Sequence, residues 1–303
     1  MSEIVVNGGK PLCGEINVQG AKNSVLPILS ATVLCKGVSV IHNCPKLSDV
    51  YAALDILKAL GCKCSFEKST VTVDASFISN NSIPENLMRE MRSSIVFLGA
   101  IIGRTGSAVI SSPGGCELGP RPIDLHLFAL RKLGVFIKEK HGDLLCSSET
   151  LKGSDIYLSF PSVGATENVM LCASISEGIT VLKNAAHEPE IVDLANCLNK
   201  MGAIVRGAGT SKITIVGVKR LHSVIYRVMP DRIEAGTFLC MAAITNSNIR
   251  VNNVKPNDMM AILRTLKCMG MSVTINNNSI YIKSKNILNK VDVKTMPYPR
   301  FSN

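Results

Sequence analysis

The chain has 303 residues, 46% hydrophobic and 18% charged, which excludes a disordered polymer and leaves room for one large or two ordinary domains. Its formal charge is +10, from 33 Lys and Arg against 23 Asp and Glu, so anionic partners are favoured. No run of five or six basic residues occurs and aromatics are only 4%, which argues against a nucleic-acid-binding module and for small phosphorylated ligands.

The chain opens on MSEIVVNGGK, with no basic-then-apolar leader pattern, and no apolar stretch approaches a membrane span. The 11 cysteines are odd in number, and Cys62 and Cys64 have no second pair or His at zinc-finger spacing. Free thiols in a reducing cytoplasm are expected, with no metal site.

A repeat organises the chain. Its copies occupy 37–64, 107–137, 178–205 and 248–273. Each pairs a strand-like run, a polar turn, a helical segment and a Gly leading into another strand. The helix-stop glycines Gly61, Gly134, Gly202 and Gly270 are separated by 73, 68 and 68 residues. Pro45, Pro122, Pro189 and Pro256 precede the helices, and Asp49, Asp124, Asp193 and Asp258 follow. Proline pre-sets φ for a helix start, an acidic residue suits the positive end of the helix dipole, and Gly supplies a left-handed cap. A period near 70 residues exceeds the roughly 20–45 residues of solenoid units and fits a βαβαββ module. Second helices are predicted over 22–34, 91–102, 166–176 and 233–244. A fifth module is expected to begin with a strand over 291–295 (VDVKT).

Three segments carry candidate chemistry. Gly20, Ala21, Lys22 and Asn23 enter a helix, either as an anion-binding start with a Lys point charge or as an ordinary one. The segment 112–126 (SPGGCELGPRPIDLH) interrupts the second copy with a long Gly- and Pro-rich loop. Such loops more often serve function than connection. Cys116 lies mid-loop, where Arg121 and His126 could favour its thiolate, and Arg121 could grip a carboxylate or phosphate. The segment 160–166 (FPSVGAT) turns from strand into helix, either to cradle a pyrophosphate on backbone N–H groups or simply as a capped turn.

Taken together, 12–27 (LCGEINVQGAKNSVLP), 91–94 (MRSS), 112–126, 162–166 (SVGAT), 188–193 (EPEIVD) and 230–238 (PDRIEAGTF) closely resemble the UDP-N-acetylglucosamine 1-carboxyvinyltransferase family. The resemblance runs in register over the whole chain. The related shikimate-pathway enolpyruvyl transferases typically place a Ser at the first-helix start, where this chain has Ala21-Lys22-Asn23, and lack the Cys loop. The resemblance implies an α/β enolpyruvyl transferase fold, an inside-out α/β barrel of two domains, each three βαβαββ modules around a pseudo-threefold axis with helices inside. Residues 22–229 would form one complete domain carrying the Cys loop, and 1–21 with 230–303 a partial second domain.

The resemblance also implies a reaction. Phosphoenolpyruvate would donate its enolpyruvyl group to the 3-hydroxyl of UDP-N-acetylglucosamine by addition then elimination, with no cofactor. By match to the family motifs, Lys22, Asn23 and Arg121 hold the donor. Asn23, Arg92, Arg121, Pro122, Ile123, Asp124, Leu125, Ser162, Val163 and Gly164 hold the nucleotide-sugar. Cys116 is the acid or covalent residue that fosfomycin alkylates, and Lys22 shares the catalytic work. At Phe160-Pro161 some members carry a Lys that reaches the ligand phosphates. The family continues beyond a stretch like TMPYPRFSN into a catalytic Asp, so ending at Asn303 implies little turnover from this chain alone. The alternative is a fragment that at most binds nucleotide-sugar. Partners beyond the two substrates, nucleic acid and membrane included, are not expected, and the oligomeric state is left open.

Overall fold

The sequence repeat is a repeat of sheets. In a computed structural model, which describes residues 3–111, 123–284 and 287–301, the chain enters with β1 (Cys13–Asn17) and α1 (Lys22–Ala31). There follow β2 (Val38–His42), α2 (Ser48–Ala59), β3 (Lys63–Glu67) and β4 (Thr70–Asp74). Next come β5 (Ser82–Ile83), α3 (Glu85–Glu90), α4 (Phe97–Thr105), β6 (Ser107–Ser111), α5 (Asp124–Lys132), β7 (Phe136–Lys140) and β8 (Asp143–Ser147). Then β9 (Asp155–Tyr157), α6 (Val163–Ala173), β10 (Ile179–Lys183), α7 (Pro189–Lys200), β11 (Ile204–Arg206) and β12 (Lys212–Val216). The chain closes with β13 (Ile225–Arg227), α8 (Arg232–Ile244), β14 (Asn248–Asn252), α9 (Met260–Cys268), β15 (Ser272–Ile275) and β16 (Ser279–Lys283).

These strands form sheets ordered β13-β2-β4-β3, β5-β6-β8-β7, β9-β10-β12-β11 and β1-β14-β16-β15. In every sheet the first pair is parallel and the other two are antiparallel. Parallel neighbours need a crossover helix, and α4 and α6 supply it between β5 and β6 and between β9 and β10. Two units result, Lys22–Met229 with three sheets, and Met1–Ala21 with Pro230–Asn303 around the fourth. In the larger unit β13, last in sequence, pairs with β2 near the start and completes the first sheet.

Composition separates inner from outer helices. All residues of α1 from Ser24 to Ala31, and of α6 from Ala165 to Ala173, are buried. A helix enclosed on every side is mostly apolar, as α1, α4 and α6 are, with Ser24, Ser30, Thr166, Glu167 and Asn168 as buried polar exceptions. These helices share one core with the inner faces of α2, α5, α7 and the three sheets. The smaller unit has a core of its own, built on Leu239, Leu263, Val251 and Ile280.

The punctuation acts as its chemistry demands. Gly61, Gly134, Gly202 and Gly270 end their helices at φ of +102°, +92°, +97° and +96°, where a side chain would be strained. A second repeated device is a left-handed Asn closing the central strand of a sheet. Asn43, Asn184 and Asn253 have φ of +62°, +55° and +56°. Each donates Nδ2 to the carbonyl just past the parallel neighbour strand, on Val228 at 2.9 Å, Leu158 at 2.7 Å and Val18 at 2.6 Å. The matching position of the second sheet is Ser112, which lies outside the described residues, so the Asn is not repeated there in the sequence.

Two expectations need correction. The helix over 91–102 is divided: Met91 is extended, Arg92–Val96 is a 3-10 helix, and α4 follows. The cause is the Asn168 side chain. Its Oδ1 accepts from Gly99 N–H at 2.7 Å and its Nδ2 donates to the Ile95 carbonyl at 2.9 Å. In an uninterrupted α-helix those two backbone groups would bond each other. Gly99 admits this approach, because a Cβ there would meet the Asn168 carbonyl oxygen at 2.5 Å. The strand expected over 291–295 does not form. Val291 and Val293 remain 36% and 46% exposed, so no apolar face drives pairing, and only a Thr295–Phe301 bridge is made.

Candidate functional site

Most of the sequence-predicted site residues lie in the larger unit at element starts. Lys22 and Asn23 open α1, with Asn23 exposed and Lys22 half-buried. The Lys22 ammonium lies 3.3 Å from the Asp49 carboxylate in the first turn of α2. Ile123 caps α5, whose first residues are Asp124 and Leu125. Ser162 caps α6, its Oγ accepting from Ala165 N–H at 3.3 Å. The next N–H groups, on Val163 and Gly164, have no acceptor among the described residues, as a helix start leaves them. The dipole of an 11-residue helix lies behind them, an arrangement that favours an anion at a helix start. Helix α6 begins at Val163, not at the predicted 166, because Ser162 is a competent cap.

The structure gathers these starts. Ser24 Oγ, one residue past Asn23, donates to Asp193 of α7 at 2.5 Å, and Thr166 of α6 accepts from Ala186 N–H at 3.1 Å, just before α7. The 3-10 helix Arg92–Val96 packs against both α1 and α6. The Asp124–Leu125 segment meets Ser162–Gly164 through His126, whose ring is so close to Gly164 that a Cβ there would lie 2.9 Å from Cε1. Cys116, Arg121 and Pro122 lie outside the described residues, as does the Arg92 side chain. A cleft of about 560 Å³ lined by Ser111, Asp143, His141 and Arg89 includes none of the described site residues in its lining.

His126 departs from its sequence reading. It is 8% exposed, and its Nδ1 lies 2.7 Å from Asn168 Nδ2. Burial pushes its pKa down to about 4, against a smaller upward pull from Asp124. At neutral pH the ring is uncharged and cannot act as the cation that favours the Cys116 thiolate. A stability effect follows. The unfolded ring takes a proton near pH 6.5 but the folded ring only near 4, so the unfolded state binds more protons between those values. Stability is full above pH 6.5 and falls as pH drops towards 4, by roughly 3 kcal/mol from this group. Urea titrations at pH 7.5 and 4.5 should show His126→Asn escaping most of that loss; equal losses in both proteins would refute the assignment.

Sequence reasoning passed over several groups. Asn168 and Glu167 sit in an apolar helix, and two polar residues there were the available signal. Glu167 is buried, and burial, then Glu190 and Glu188, push its carboxyl well above the usual range. In the smaller unit, Arg232, Gly236, Cys240, Met260, Tyr298 and Phe301 help line an apolar cleft of about 410 Å³ that contains none of the predicted site residues. No helix among the described residues is long and apolar enough to cross a membrane.

The model of the EPSP synthase (3-phosphoshikimate 1-carboxyvinyltransferase) family matches residues 6–302. The chain is 51% identical over 302 residues to UDP-N-acetylglucosamine 1-carboxyvinyltransferase 2 of Caldanaerobacter subterraneus subsp. tengcongensis, covering 99% of this chain and 72% of the relative. It is 47% identical to UDP-N-acetylglucosamine 1-carboxyvinyltransferase 1 of Carboxydothermus hydrogenoformans, covering 99% and 71%. Among solved structures, the enolpyruvyl transferase NikO of Streptomyces tendae aligns with a TM-score of 0.81 at 22% identity, over 92% of this chain and 67% of that one. EPSP synthase of Acinetobacter baumannii aligns with a TM-score of 0.71 at 21% identity, over 96% and 68%.

Proposed function

The chain belongs to the EPSP synthase family of enolpyruvyl transferases, among its UDP-N-acetylglucosamine 1-carboxyvinyltransferases, and from that premise we propose that it transfers the enolpyruvyl group of phosphoenolpyruvate to the 3-hydroxyl of UDP-N-acetylglucosamine. The observation that carries this reading is 51% identity sustained over 99% of the chain. It favours the transferase over the fragment alternative.

In the addition step the 3-hydroxyl loses its proton as its oxygen bonds to C2 of the donor, and the C2–C3 double bond takes a proton at the methylene carbon, leaving a tetrahedral adduct. In the elimination step that carbon loses a proton, the C2–O bond to phosphate breaks, and the vinyl ether re-forms. Charge gathers on the phosphate and carboxylate, so cations must be held against them. Lys22 and Arg121 take that role, with Asn23 beside the reacting groups. Cys116 supplies the proton or a covalent link. The diphosphate of the sugar nucleotide sits on the Val163 and Gly164 N–H groups behind the Ser162 cap, and Arg92, Pro122, Ile123, Asp124 and Leu125 enclose the rest. Peptidoglycan precursor synthesis, a cytoplasmic location, a part in cell shape and division, and alkylation of Cys116 by fosfomycin belong to the same reading.

Incubation with phosphoenolpyruvate should release phosphate when UDP-N-acetylglucosamine is present and not when shikimate 3-phosphate replaces it. The reverse preference would overturn the acceptor. Peptide mass spectrometry should place a fosfomycin adduct on Cys116 and leave the exposed thiols Cys13, Cys240 and Cys268 unmodified. An adduct distributed over all four would remove Cys116 from the site.

A further inference from the structure

We propose that His126 is a ligand-binding residue of the nucleotide-sugar site, donating its Nε2–H to a phosphate oxygen of a nucleoside diphosphate seated on the first turn of α6. This rests on the function proposed above and adds a residue to it.

The tautomer follows from bonds fixed elsewhere. Gly99 N–H can only donate, and it lies 2.7 Å from Asn168 Oδ1, so the amide orientation is set. Asn168 Nδ2 then has two hydrogens. One goes to the Ile95 carbonyl at 2.9 Å, and the other to His126 Nδ1 at 2.7 Å. An Nδ1 that accepts carries no proton, so the neutral ring carries it on Nε2.

That donor is placed at a built site. A Cβ on Gly164 would lie 3.2 Å from Nε2, so the nitrogen borders the backbone of the first turn of α6. The Val163 and Gly164 N–H groups open on the same turn, behind the Ser162 cap. Among the described residues no acceptor is recorded for Nε2, although the ring is only 8% exposed. Thr180 Oγ1 is the fully enclosed unpartnered side-chain atom among the described residues, so Nε2 is not sealed off and a ligand oxygen can reach it. An anionic oxygen suits it, since the neighbouring free donors are N–H groups and the Asp124 carboxylate, near enough to act on the ring, makes no recorded hydrogen bond to it. A hydrogen bond to a charged acceptor is worth about 10- to 100-fold in affinity. The ring is already desolvated and its orientation is held by a backbone-anchored amide, so little ordering is needed on binding.

The competing role is a strut that only joins α5 to α6. Two amide substitutions separate the roles. His126→Asn keeps an acceptor near the Nδ1 position and loses the Nε2 donor. His126→Gln reaches the Nε2 position with an N–H and abandons the Asn168 contact. Calorimetry with UDP and with UDP-N-acetylglucosamine is run below each unfolding midpoint. H126N should unfold within a few degrees of wild type and bind both ligands about 10- to 100-fold more weakly. H126Q should lose thermal stability and keep affinity within about threefold. Unchanged binding by H126N, or equal weakening in both variants, would overturn the donor role while leaving the proposed transferase intact. Wild-type protein that bound neither ligand would sink the transferase reading itself, and the donor role with it.

Discussion

Lys22→Ala is expected to lower kcat/KM for phosphoenolpyruvate by about 10²- to 10³-fold, the usual loss when one group that stabilises developing charge is removed. The midpoint of thermal unfolding should scarcely move. The ammonium sits at the start of α1, half-buried, 3.3 Å from a partly exposed Asp49 carboxylate. An exposed pair of that kind contributes about 0–1 kcal/mol to folding. Its cost in stability is therefore small, while its place beside Asn23 at an element start suits a mobile anion better than a fixed neighbour. Lys22→Arg keeps the charge but spreads it over a planar fork, and should recover only part of the activity. A coupled phosphate-release assay checks both variants. Wild-type kcat/KM in Lys22→Ala would remove Lys22 from the donor site.

The fold was legible because its punctuation is chemical. Pro, Asp and Gly recurring in the same order announce helix starts and stops, and Gly61, Gly134, Gly202 and Gly270 all take the left-handed conformation assigned to them. The enclosed helices were expected from the enolpyruvyl transferase resemblance, whose fold agrees with the solved neighbours. What was not legible depends on contacts between residues far apart in sequence. The divided helix at Arg92–Val96 is set by Asn168, 69 residues beyond Gly99. His126 reads as a cation beside Cys116 when only its neighbours along the chain are considered. Its 42-residue reach to Asn168 fixes it as neutral instead. The strand expected over 291–295 has suitable residue types but lacks a face to bury. Propensity gave the elements; the polar wedges between them came only with the third dimension.

Asp193→Ala should be among the most destabilising single changes in the larger unit, by about 3–5 kcal/mol, because one buried carboxylate holds three donors. Asp193 is 6% exposed, in the second turn of α7. Its Oδ2 accepts from Ser24 Oγ at 2.5 Å and from Met229 N–H at 3.1 Å, and its Oδ1 accepts from the Tyr226 hydroxyl at 2.7 Å. Ser24 follows the Lys22–Asn23 start, and Met229 is the last residue of the unit, so the carboxylate joins the points where the chain enters and leaves it. Burial and then the Asp193 charge push the Tyr226 phenol up, which keeps it a donor throughout the working pH range. Alanine would strand the Ser24 and Met229 donors away from water, each at about 1–3 kcal/mol, while the Tyr226 hydroxyl keeps the Asp193 backbone carbonyl at 3.1 Å. Tyr226→Phe strands none of them and should cost only about 1 kcal/mol. Asp193→Asn keeps one acceptor oxygen but turns an N–H₂ towards a donor, and should fall between the two. Because Ser24 adjoins Asn23, Asp193→Asn should also weaken phosphoenolpyruvate binding in whatever fraction stays folded. Urea unfolding gives the stability order, and a double-mutant cycle with Tyr226→Phe isolates the shared bond. An Asp193→Ala protein within about 1 kcal/mol of wild type would show that the stranded donors find other acceptors, and that the start of α1 is not held by this carboxylate.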